Sequence, residues 1–158
     1  MTAIATHLEN FVTVVAGATP DTAGHFGRSF RHAPDPRSVG ELFKLPRTSQ
    51  RIFVVLPGPI EVIAGRQSQE TEWGEVAVTV EVAVLYQLGR ATAWSVAKVL
   101  AEDQLRLTYL LTRLSGRSSG MQLRHLQEVR VEEPEGGGDQ RALVLEFRFT
   151  YRPDFSGG

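Results

Sequence analysis

The chain of 158 residues contains no cysteine, and this excludes a disulfide scaffold, a thiolate metal site and cysteine catalysis. No run approaches the 18 or so uninterrupted apolar residues of a membrane helix. The first ten residues lack the basic start and apolar stretch of a secretory leader, which predicts a protein made in the cytoplasm and not membrane-bound. Charge of one sign is also missing. Seventeen basic residues against eighteen acidic ones leave a formal charge of −1, too little positive field to coat nucleic acid. What remains is an ordinary globular composition, 42% hydrophobic and 22% charged, of a length expected for one domain spanning 1–158.

The apolar residues Ile4, Leu8, Phe11, Val12 and Val15 recur at helical spacing and predict an amphipathic helix ending near Gly17, with a left-handed glycine cap. Residues 17–50 follow, broken by Pro20, Pro34, Pro36 and Pro46 and by several glycines, and read as a long irregular excursion. It still carries Phe26, Phe30, Val39, Leu42, Phe43 and Leu45, which must pack on the body or on a neighbour. Residues 51–56 (RIFVVL) read as a strand closed by Pro57-Gly58-Pro59, with a minor strand at 61–64. After a polar loop at 65–74, residues 75–88 alternate strictly. Val76, Val78, Val80, Val82, Val84 and Tyr86 fall on one face and Glu75, Thr79 and Glu81 on the other, as in an antiparallel sheet with one buried side.

Residues 91–114 predict a long helix with Thr92 as N-cap and an apolar stripe of Val96, Leu100, Leu107, Leu111 and Leu114. Two alternating strands, 126–132 and 141–151, then flank a glycine-rich turn, and residues 153–158 read as a flexible tail. The expected fold class is α+β: a two-layer domain whose mainly antiparallel sheet of about four strands is covered by the N-terminal helix and one long helix, with the irregular loop after the first helix.

Reactive chemistry is scarce. His7, His25, His32 and His125 show no ligand spacing, so no metal is expected, and no cofactor motif is present. Gly136-Gly137-Gly138 precedes a strand instead of a helix and so reads as a hairpin turn, not a phosphate cradle. No serine sits in a nucleophile elbow, and the paired glutamates lie in exposed loops; no catalytic residue is assigned. Asp103 is the single polar intruder on the long helix's stripe and must be hydrogen-bonded or reached by water or a neighbour. Between residues 24 and 51, six basic residues face two acids. That segment, through Arg28, Phe30, Arg31, Arg37, Phe43 and Arg47, is expected to contact neighbouring subunits, since arginine pairs well with carboxylates at protein interfaces.

The order of these elements resembles that of the tail terminator and tail-completion (tail-to-head joining) proteins of long-tailed bacteriophages. The resemblance rests on RIFVVLPGPIEV (51–62), EVAVTVEVAVLYQ (75–87), the helix 91–114 and RALVLEFRFTYR (141–152), and the 17–50 excursion is longer than that pattern expects. It implies a virion protein assembled in the bacterial cytoplasm. A ring of six copies would cap the tail tube, stop its polymerisation and join it to the head connector, while genome DNA passes through without specific binding. The resemblance further implies rim contacts from the two polar loops, through Arg66, Gln67, Glu70, Trp73, Glu133, Glu135 and Asp139, and a channel lining by Glu75, Thr79 and Glu81. The alternatives are another neck adaptor of head-closure type, a ligand-binding or enzymatic α+β domain, and a nucleic-acid module using the basic loop.

Overall fold

Alternating apolar residues make two long neighbouring strands the centre of the molecule. The computed structural model describes residues 4–22, 26–64, 75–113 and 121–152. Its elements run α1 (Ile4–Ala16), β1 (Phe30–His32), α2 (Val39–Leu42), β2 (Arg51–Ala64), β3 (Glu75–Gln87), α3 (Ala93–Thr112), β4 (Met121–Glu132) and β5 (Gln140–Tyr151). The fold is α+β, but the sheet is mixed and has five strands in the order β1-β2-β3-β5-β4. The fifth, β1, lies inside the excursion and pairs parallel with β2 over Arg51, Ile52 and Phe53. Three residues are too few to show an alternation, so the pattern of the sequence does not reveal this strand.

β2 is one strand, not a strand and a minor successor. Its register against β3 shifts between Pro57 and Ile60, so the Pro57-Gly58-Pro59 segment is an irregularity within a continuous ladder. Gly58 is required there, because a Cβ would lie 2.9 Å from the Thr79 carbonyl oxygen. β3 pairs with β5 without interruption from Val76–Tyr151 to Gln87–Gln140. The β4–β5 turn carries three successive glycines at positive φ, 84°, 82° and 136°, the hairpin that the sequence predicts. Gly17 is not a left-handed cap; the positive-φ glycines do not include it, and its N–H donates to the Thr13 carbonyl, extending the helical pattern by a residue. Thr92 does cap α3, its side chain accepting from the Ser95 N–H at 3.2 Å.

α1 and α3 cover one face of the sheet. Phe11, Val15, Val80, Val82, Val84, Leu107, Leu111, Leu145, Phe147 and Phe149 form its buried core. Phe11 meets Phe147 and Phe149 at ring separations of 6.0 and 5.8 Å, a tilted packing that adds to simple burial. The opposite face is not bare. A second buried cluster joins Val39 and Leu42 of α2 to Ile52, Val54, Ala83, Leu85, Ala142 and Val144, with Phe43 and Leu45 packed against it. The excursion therefore folds back over half of the sheet's second face. At that end the molecule has three layers, a correction to the two-layer expectation.

Candidate assembly surfaces

The excursion's aromatic residues are held by the body. Phe30 is 2% exposed in the main core, so this side chain, expected to touch a neighbouring subunit, is internal packing instead, while Phe43 is half-buried over the second cluster. Arg28, Arg31 and Arg37 are exposed on the same segment. Arg47 faces Asp139: its two terminal nitrogens donate to the carboxylate at 2.8 and 2.6 Å, holding the Asp139 carboxyl below the usual range. The residue expected to contact a neighbour and the one expected on a rim thus pair with each other, pinning the end of the excursion to the β4–β5 turn.

Arg51, also counted in the basic segment, is fully buried. Its Nε donates to Asp103 Oδ2 at 2.6 Å, and Tyr86 donates its hydroxyl to the same oxygen at 2.5 Å. The remaining guanidinium nitrogens donate to the carbonyls of Gly27 and Thr22 at 2.9 and 2.7 Å. The rings of Phe30, Phe26 and Tyr86 surround the cation at 5.6 to 5.9 Å. Burial pushes the Asp103 carboxyl up, against the pull of Arg51 and Tyr86, and lifts the Tyr86 hydroxyl well above its ordinary value. Every hydrogen bond to Asp103 is donated to it, so the cluster is built around a carboxylate. With no open face, it is a structural clasp between α3, the sheet and the excursion, and Asp103 is the satisfied acid that its position on the helix demands.

The polar connections leave the sheet at opposite ends. β2 and β3 are joined beyond Ala64 and Glu75, whereas β4 and β5 turn beside Gln87 and Gln140. On the second turn Glu133 pairs with Arg141 at 3.3 Å and Glu135 is exposed. Arg66, Gln67, Glu70 and Trp73 lie outside the described residues. Glu75, Thr79 and Glu81 are half-buried on the second face, in the part that α2 leaves uncovered. There Glu81 stands opposite Glu146, and Glu146 opposite Glu128, giving three acids abreast across β3, β5 and β4. Arg130 pairs with Glu81 at 2.7 Å and with Glu132 at 3.0 Å; Glu128 and Glu146 take no ion pair among the described residues. Sequence reasoning assigned Glu81 to this face but not its cross-strand acids, because register is not readable from one strand.

Among the described residues no group of three or more histidines, aspartates or glutamates is placed to hold a metal ion. A shallow cleft of about 360 Å³ opens between residues 47–49 and 87–90; its polar groups include Arg47, already engaged by Asp139. Among the described residues, nothing pairs with the outer side of β2 beyond the three residues joined to β1, and there Pro57 and Pro59 offer no N–H to an added strand. The β4 edge carries register shifts at 123–125 and 126–128, which bend an edge strand.

The sequence does not single out the exposed large apolar residues. Trp94, Leu105 and Tyr109 stand on the outer side of α3 at 78%, 71% and 58% exposure, and Ile60 and Val62 on β2 at 56% and 55%. The signal was present, since these positions fall off the helix's inward stripe and on an edge strand. No protein-family model and no curated protein sequence matches this chain.

Proposed function

We propose that this protein is a structural subunit of the phage tail terminator type, forming a ring that caps a tail tube, ends its growth and presents a second rim to the head connector. The observation that carries the reading is the pair of dissimilar polar connections at opposite ends of one continuous sheet. A subunit that binds a tube on one side and a connector on the other needs two unlike ends. A ring also closes through heterologous contacts, which require unlike lateral surfaces. The outer stripe of α3 and the distal part of β2 are two such surfaces. The acidic row of Glu81, Glu146 and Glu128 suits a wall past which DNA moves, since carboxylates repel phosphates. Guarded sheet edges fit a subunit that stops polymerisation rather than propagating it by strand addition.

Negative-stain microscopy of the purified protein tests the ring, and a tube-growth assay with the cognate tail-tube subunit tests the capping. Uniform rings and tubes shortened by substoichiometric protein are expected. A particle that stays monomeric and leaves tube length unchanged would refute the proposal. Rings that leave tubes unaltered but bind the connector would move the role to a neck adaptor.

A further inference from the structure

Residues 34–50 form a loop whose two roots are fixed and close together. At one root the Ala33 N–H donates to the Phe53 carbonyl at 2.8 Å; at the other Arg51 opens β2, two residues before Phe53. The buried Arg51–Asp103 pair holds that second root. The same guanidinium reaches back to the Gly27 and Thr22 carbonyls, so the chain ahead of β1 is held as well. Neither root has to move for the loop between them to swing.

The loop is organised by its own residues. α2 is capped from within: the Ser38 hydroxyl accepts from the Glu41 N–H at 3.2 Å, and the Glu41 carboxylate accepts from the Arg37 N–H. Its ties to the body are weaker in kind than the clasp at its roots. Arg47 and Asp139 pair with side chains 69% and 37% exposed, where an ion pair adds little. Gln140 donates to the Phe43 carbonyl at 3.2 Å, and Gln87 accepts from the Thr48 N–H at 2.8 Å. The rest is the apolar fit of Val39 and Leu42 on the apolar half of the second face. That half-face cannot stand bare in water, so a loop that leaves it must be replaced by a surface of the same shape. Every copy of the chain carries one: the same loop.

We infer that in the ring the loop 34–50 of each copy leaves its own second face and seats α2 on the second face of the next copy. The inference rests on the ring reading above and adds a lateral contact to it. Among the described strands β1 is outermost, so the roots lie at one side of the sheet. Doubled back on itself, a loop of this length reaches about 25 Å from its roots, which is about five strand spacings. The apolar half-face of a copy beside that edge lies within this reach. The apolar fit and the Gln140–Phe43 bond re-form between chains, so the exchange costs little, and closure of the ring favours it through simultaneous engagement. The giving loop and the receiving face are different surfaces, and the contact is therefore heterologous. The row of Glu81, Glu146 and Glu128 stays uncovered in either state.

The absence of native cysteine makes the test clean. Lys44 is exposed and follows Phe43, whose carbonyl Gln140 holds, so Lys44→Cys and Gln140→Cys bring two thiols within the span of a short, reducible bis-methanethiosulfonate. An equal mixture of the two single variants, linked as rings, is expected to yield dimers that neither variant gives alone. Linked first as a dilute monomer, the double variant is expected to keep the native circular dichroism and lose the ring population at least tenfold. Reduction of the linker should restore the rings. If wild-type rings form but the mixture gives no such dimers, the locked subunit still assembles, or reduction restores nothing, the exchange is overturned and the ring reading stands. If the wild type forms no rings, both fall.

Discussion

Removing the carboxylate of Asp103 is the most direct perturbation of the buried clasp. In Asp103→Ala the Arg51 guanidinium, fully buried, keeps only two carbonyl acceptors, and the Tyr86 hydroxyl loses its acceptor. Breaking a buried pair by deleting one partner costs about 3–5 kcal/mol, against a total stability of about 5–15 kcal/mol for a domain. At roughly 2–4 °C per kcal/mol for a chain of this size, the melting temperature should drop by about 10 °C. The double variant Arg51→Met/Asp103→Leu leaves no buried charge, although the Thr22 and Gly27 carbonyls lose their donor. It should therefore be less destabilised than the sum of its single variants, with a coupling of about 2–4 kcal/mol. Denaturant unfolding of Asp103→Ala and of the four proteins in the Arg51→Met/Asp103→Leu cycle measures both quantities. A cost below about 1 kcal/mol for Asp103→Ala, or additivity within about 0.5 kcal/mol, would refute the claim that the clasp is a coupled charge pair.

His7 is fully buried, neither ring nitrogen has a hydrogen-bond partner among the described residues, its ring lies 4.8 Å from that of Tyr151, and burial lowers its pKa from the ordinary histidine value. The unfolded chain thus takes up the proton first, so stability is full above pH 6.5 and falls on acidification, by up to about 1.4 kcal/mol per pH unit until the native histidine titrates. Burial shifts His32 in the same direction. Urea midpoints at pH 7.5 and 5.5 should therefore converge in His7→Leu relative to the wild type, and an unchanged difference would exclude His7. Gly58→Ala should cost about 1–3 kcal/mol, because its Cβ meets the Thr79 carbonyl oxygen at 2.9 Å; thermal melts that coincide with the wild type would show that the strand yields freely. Val80→Asp places an unpaired charge at a fully buried position of the central strand and should abolish folding, read as loss of the native far-ultraviolet circular dichroism.

Several features were legible because they are local. The alternation along residues 75–87 and 141–151 marks both central strands, and the Thr92 cap and the glycine turn announce themselves by residue type. Asp103 was visible as an intruder whose satisfaction was required, but its partner was not, since Arg51 lies 52 residues away and looks like one more basic residue of an exposed loop. An arginine heading an apolar strand was the available hint. The burial of Phe30 in the core is not readable from the sequence, because an excursion rich in proline gives no period from which to tell which surface it covers. The outward stripe of α3 is masked in the sequence by the buried stripe on the helix's other side.

Periodicity and turn chemistry act between residues a few positions apart, so the chain itself determined its main strands, both long helices, the hairpin turn and the α+β class. The tertiary structure alone decided the order β1-β2-β3-β5-β4, the parallel fifth strand, the return of the excursion over the second face and the three acids abreast. Those outcomes depend on which distant surfaces bury one another best. That is a sum over pairings far apart in the chain, and no local stretch of sequence contains it.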